Sequence, residues 1–317
     1  MLIRKIMAVW SVLATLLLSA AAAAMEDKSE PGLEASIPLY TADLDARLQP
    51  WCPNHCVDEI AFTAEYHRGD QTLVFVAAHH DFNERSATKR AVAAGFRKGA
   101  PKVVILEGFP TVMGENPPPL VAEAKRFGTP EANEFARGEG MYAAALALKH
   151  GIPFMGGEPT RAEERAALHA HGYSDEDIAF AYLVGGLSQS LRAQTLQGPN
   201  DPRLSEVFSV WAHAFRDQYQ LEPLSLTKFL ERYRAAFGTD FSHDSDITER
   251  AEPGGKSIVS HLDQIDMHTR DVHLFELIQT QLEARKSVLV VYGGSHWSTL
   301  SGSLEKLLGA PKITTFH

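Results

Sequence analysis

Four short apolar runs rich in branched residues, alternating with stretches of helical periodicity, constrain this chain more than any other feature. QTLVFVAA at 71–78 and PKVVILEG at 101–108 are two of them; strands at about 152–156 in IPFMGGEP and 287–292 in SVLVVYGGSHW are the others. Each is strand-length and ends in polar residues or glycines. Strands apolar on both faces belong in a parallel sheet that helices cover on either side. Between them, NERSATKRAVAAGFRKG reads as a helix with Asn83 near its start and Gly99 near its stop. PEANEFARGEGMYAAALALKHG offers a second helix, and 261–285 a long third one carrying Leu262, Ile265, Val272, Phe275, Ile278 and Leu282.

The segment 174–238 is helical throughout, with Ser174 and Asp177 as a capping box before IAFAYLVGGL. Its Trp211, Phe215, Phe229, Tyr233 and Phe237 are expected in a core. The pattern predicts an α/β fold: a mainly parallel central sheet flanked by helices, with a helical insertion or cap at 174–238. Residues 45–317 are expected to form a single domain, preceded by a flexible lead-in at 25–44.

Residues 1–24 have a different logic. Arg4 and Lys5 precede an apolar run to Leu18, then Ser19 and a series of alanines in which Ala22 to Ala24 supplies a small-residue cleavage pattern. This is the pattern of a secretory signal peptide, cut after Ala24 or Ala22, and the run is too short for an ordinary membrane span. A secreted or periplasmic location follows, with no stable transmembrane segment after cleavage. Removing Arg4 and Lys5 takes the formal charge from −10 to −12, a balance that disfavours nucleic acid and anionic membranes as partners.

The chain has two cysteines, Cys52 and Cys56, in WCPNHC. In an oxidising compartment a local disulfide between them is expected, stabilising by only about 2 kcal/mol because the loop it closes is short. Cys52, His55 and Cys56 offer part of a metal site without an evident fourth ligand.

Chemistry is sought where the strands end, since open α/β sheets bind ligands at their carboxyl edge. The first strand delivers His79 and His80, either of which could enter a cleft; the last delivers His296. Glu107 follows VVIL, where a buried carboxylate needs a metal or an arginine. Glu158 follows the third strand, its preceding glycines permitting a close backbone approach, and Arg161 lies three residues on. Two imidazoles and a carboxylate from His80, Glu107 and His296 form a candidate divalent-metal triad with room for a water, which Glu158 or Glu107 would help to deprotonate. Without a metal, His80 is a candidate general base beside a glutamate. Arg270 serves either substrate or a structural pairing with Glu107 or Glu158. Asp271 is expected at a neighbouring helix or the surface, and His273 in a structural role. His169, His171 and His243 do not follow a strand and carry less weight. The sequence contains no Walker or dinucleotide fingerprint.

AAHH at 77–80 and GGSH at 293–296, with Glu107 in VILEG and Arg270 in MHTRD, resemble the motifs of the TraB/PrgY/GumN and Tiki proteins, within a wider superfamily of erythromycin-esterase-like and ChaN-like proteins. Ala77 stands where the first GxxH motif has glycine, and the similarity spans about 70–305. The resemblance implies metal-dependent peptidase chemistry by likeness to Tiki, ester opening by likeness to the esterases, or association with iron or haem by likeness to ChaN. The leading expectation is a metal-dependent hydrolase of a peptide or small ester carbonyl. Glu107, Glu158, Arg161 and Arg270 are its catalytic and orienting residues. The alternatives are an iron- or haem-binding protein without hydrolase activity and a noncatalytic interaction domain.

Overall fold

The computed structural model describes residues 60–79, 86–127, 138–192, 196, 200–241 and 257–317. Residues 1–59, which include the expected signal peptide, the lead-in and both cysteines, lie outside the described residues, as do His80, Asn83 and His243. The expected disulfide is corrected: none is found, and Cys52 and Cys56 lie outside the described residues.

The α/β expectation holds. Six strands, β1 (Ala61–Arg68), β2 (Gln71–Ala78), β3 (Val103–Pro110), β4 (Phe154–Glu158), β5 (Val288–Gly293) and β6 (Lys312–Phe316), form one sheet in the order β4-β3-β5-β2-β1-β6. Parallel pairing joins β4, β3, β5 and β2, the four strands expected from their apolar runs. The edge is antiparallel: β1 folds back on β2 through Gly69 and Asp70, Gly69 taking φ +63°, and β6 pairs antiparallel with β1. Because β2 and β5 lie inside the sheet, their side chains are buried on both faces in alternation. Leu73, Phe75, Val288 and Val290 face one core; Val74, Val76, Leu289 and Val291 face the other.

Helices cover each face. On one lie α1 (Ala87–Gly99), α2 (Pro118–Phe127) and α3 (Glu139–His150), contributing Ala91, Val92, Leu120, Ala144 and Ala147. Ser86 caps α1 by accepting from the Lys89 amide, three residues beyond the expected Asn83. On the other face lie α8 (Ile258–Glu283) and α9 (Gly294–Leu308), contributing Leu274, Phe275, Ile278, Leu300 and Leu304. Sealing one such large apolar side chain from water stabilises by about 1.5–3 kcal/mol.

The chain divides into two compact units, with one boundary between Thr160 and Arg161 and another inside α8. One holds the sheet, its flanking helices and α8 from Arg270 onward. The other contains α4 (Arg161–Ala170), α5 (Asp175–Arg192), α6 (Leu204–Tyr219), α7 (Leu226–Phe237) and α8 up to Thr269. Its core is aromatic as expected: Trp211, Phe215, Phe229 and Tyr233 are buried, and Phe237 packs against them. The expected capping box forms, the Ser174 hydroxyl accepting from the Asp177 amide while Asp177 accepts from the Ser174 amide. Among the described residues no helix is long and apolar enough to cross a membrane.

Candidate active site

The carboxyl ends of β3, β4 and β5 carry the site, and a break in the strand ladder shapes it. The pairing of β3 with β4 loses register between Leu106 and Pro110. Within that irregularity Gly108 takes φ +87°, a conformation that favours glycine. Its amide thereby donates to Glu158 Oε1 at 3.0 Å, tying the end of β4 to the residue after Glu107. The glycines preceding Glu158 serve packing. A methyl group on Gly156 would sit 2.0 Å from the Phe109 carbonyl oxygen, and one on Gly157 would sit 2.4 Å from the Tyr292 hydroxyl oxygen.

Arg270, near the middle of α8, binds both glutamates. Its Nε and Nη2 each lie 2.7 Å from a Glu158 oxygen, a bidentate pair, and Nη2 is also 3.0 Å from Glu107 Oε1. Burial works to raise the Glu158 pKa, but the charge and hydrogen bonds of Arg270 outweigh it and hold the carboxyl below its ordinary range. Both Glu158 oxygens are thus engaged in the ionised state. Glu107 is more open, its side chain 18% exposed, and its Oε2 accepts from the Gly293 amide at 2.7 Å.

His296 lies in the first turn of α9, three residues after Gly293 ends β5. Its Nε2 is 3.5 Å from Glu107 Oε1, and its Nδ1 is 2.6 Å from Asp271 Oδ1. The ring meets Tyr292 edge to face, centroids 5.1 Å apart. Burial would lower the His296 pKa; the charge of Asp271, with hydrogen bonds that the ring donates to Asp271 and Glu107, raises it instead to about 9. Glu107, Glu158, Arg270 and His296, spread over nearly two hundred residues of sequence, therefore meet at one sheet edge.

Other expected residues stand elsewhere. The backbone of His79 is held by the Thr88 hydroxyl of α1, and the residue is exposed. Arg161 belongs to the helical unit, paired with Glu164 and 5.5 Å from the Tyr219 ring centroid. In that unit His169 pairs with Asp175, and His171 bonds the Ala167 carbonyl. His273 lies 2.8 Å from the Thr111 hydroxyl, which also donates to the Gly156 carbonyl.

Asp271 was expected at a neighbouring helix or the surface and is instead 1% exposed, between His296 and Thr299. Its position was available in the pattern: 271, 274, 275, 278 and 282 fall on one helical stripe, so the aspartate continues the apolar face of α8 inward.

For a divalent ion, the described residues offer Glu107 and His296, two of the three expected donors. An aspartate behind a metal-binding imidazole is a common way of orienting it. Arg270 crowds the same Glu107 oxygen with positive charge. Among the described residues no group of three histidine, cysteine, aspartate or glutamate side chains could hold a metal.

No protein-family model, curated protein or solved structure matches the chain.

Proposed function

We propose that the protein is an exported hydrolase that cleaves an ester or amide carbonyl at the Glu107–Arg270–His296 cluster. The observation that carries this reading is the meeting at Glu107 Oε1 of a guanidinium nitrogen at 3.0 Å and an imidazole nitrogen at 3.5 Å. A carboxylate, a fixed cation and a protonated imidazole are the parts that acyl hydrolysis needs at neutral pH. The likeness of AAHH and GGSH to the TraB/PrgY/GumN and Tiki motifs belongs to the same proposal, and export rests on the pattern of residues 1–24.

Glu107 takes a proton from water as the water oxygen bonds to the carbonyl carbon. Arg270 stabilises the negative charge that develops on the carbonyl oxygen, and Glu158, locked to Arg270, keeps the guanidinium in place. As the carbon–oxygen or carbon–nitrogen bond breaks, His296 gives its Nε2 proton to the departing alcohol or amine. The proton on Glu107 then passes to His296 Nε2 and restores the starting state. One water is consumed, and an acid and an alcohol or amine are released.

A second reading, favoured by Asp271 behind His296, places a divalent ion on His80, Glu107 and His296. When bound it would supply Lewis acidity and a water of lowered pKa. Both readings share Glu107 and His296, and chelation separates them.

The test is hydrolysis of a panel of p-nitrophenyl esters and short peptides by the mature chain purified without an affinity tag. His296→Ala should lower kcat/KM by about 10²–10⁴-fold while circular dichroism stays that of the wild type. Turnover that survives exhaustive chelation supports the proton cycle, and turnover lost to chelator and restored by a divalent ion supports the metal. Equal turnover by wild type and variant contradicts both.

A further inference from the structure

The Asp271 carboxylate is buried, and its partners account for both of its oxygens. Oδ1 lies 2.6 Å from His296 Nδ1, and Oδ2 accepts from the Thr299 hydroxyl at 2.5 Å. An ionised carboxylate only accepts hydrogen bonds, so Nδ1 must be the donor in that contact. The proton on Nδ1 is therefore fixed, and Nε2, facing Glu107, is the nitrogen left to exchange protons. His296 and Thr299 are three residues apart on α9, so Asp271 grips that helix at two adjacent points. Tyr292 also packs edge-on against the ring, at an interplanar angle of 89°.

We propose that Asp271 is the positioning residue of His296: it holds the Nδ1 proton and commits Nε2 to the side of Glu107 and the substrate. This rests on the reading of His296 as the proton-transferring group. Asp271 itself touches neither substrate nor the reacting atoms. The competing role for the same contacts is purely structural, a polar tie between α8 and α9. The two differ in what happens to the ring proton once the carboxylate is removed. An asparagine amide can turn its NH₂ toward Nδ1 and leave the ring protonated on Nε2, the wrong nitrogen for accepting a proton from Glu107.

The experiment uses the full mature chain labelled with ¹⁵N in histidine, the His296 ring signals being assigned by their loss in His296→Gln. Wild type should show a hydrogen-bonded proton on Nδ1. In Asp271→Asn that signal should disappear and kcat for a p-nitrophenyl ester should fall about 10²–10⁴-fold with little change in KM. An Asp271→Asn protein that keeps the Nδ1 proton and wild-type kcat, losing only thermal stability, overturns the proposal. Should that variant not fold, Thr299→Val keeps the charge and removes the hydroxyl that lies against Asp271 Oδ2 and the His296 carbonyl. A several-fold drop in kcat is then expected, and an unchanged kcat overturns the proposal. If wild type hydrolyses no ester, the hydrolase reading fails by itself, while the ring-proton comparison still decides whether Asp271 positions His296.

Discussion

At the scale of single residues, the site is a problem in placing charge where water is scarce. Glu158 would be costly in its buried position if it stood alone, and Arg270 answers it with two hydrogen bonds of 2.7 Å. His296 is answered by Asp271 in the same manner, and the result is a linkage between pH and stability. Its pKa is raised from 6.5 to about 9, so the stabilisation is full below about pH 6.5 and is lost as pH rises through 9. The shift corresponds to roughly 3 kcal/mol. Glu158 has the opposite sign: its pKa is lowered, so its contribution is present above the ordinary carboxylate range and lost as pH falls through the lowered value. Urea midpoints measured from pH 6.5 to 9.5 should fall for the wild type and fall less for His296→Gln. Parallel curves for the two proteins would show that the Asp271 contact does not bias the titration of His296.

At the scale of elements, the irregular end of β3 matters most to the site, because it turns the Gly108 amide to Glu158 directly after Glu107. Gly108→Ala should destabilise by about 1–2 kcal/mol, the cost of forcing a residue with a Cβ to a positive φ. A urea midpoint equal to wild type would show that the strand end relaxes without penalty. The break in register was not legible in VVILEGFP, since it comes from how β3 meets β4, and an apolar run carries no record of its neighbour. The four parallel strands were legible because burial on both faces demands uninterrupted branched residues. The strand Ala61–Arg68, which forms a hairpin with Gln71–Ala78, goes unread despite the Gly69-Asp70 turn between two strand-like stretches, a signal of known kind. The edge strand Lys312–Phe316 is partly exposed and short, so hydrophobic pattern alone does not mark it. The capping box at Ser174 and Asp177 was readable because it depends on two residues three apart and on nothing distant.

At the scale of the whole molecule, the site is a product of topology. Glu107, Glu158, Arg270 and His296 come from four separate elements, and only the order β4-β3-β5 together with α8 and α9 makes them neighbours. Sequence patterns point to each of these residues through its place at a strand end or on a helix, and offer a pairing of Arg270 with Glu107 or Glu158 as one of two roles without choosing between them. That Arg270 holds both glutamates at once, and that Asp271 stands behind His296, depends on packing between segments more than a hundred residues apart in one case and twenty-five in the other. The central claim is that Glu107, between Arg270 and His296, handles the proton of a carbonyl hydrolysis. The most direct measurement is kcat/KM of Glu107→Gln against wild type on the same p-nitrophenyl ester, with the urea midpoint recorded for both. A loss of about 10²–10⁴-fold in a protein that still folds is the predicted result, and hydrolysis at the wild-type rate would contradict the account.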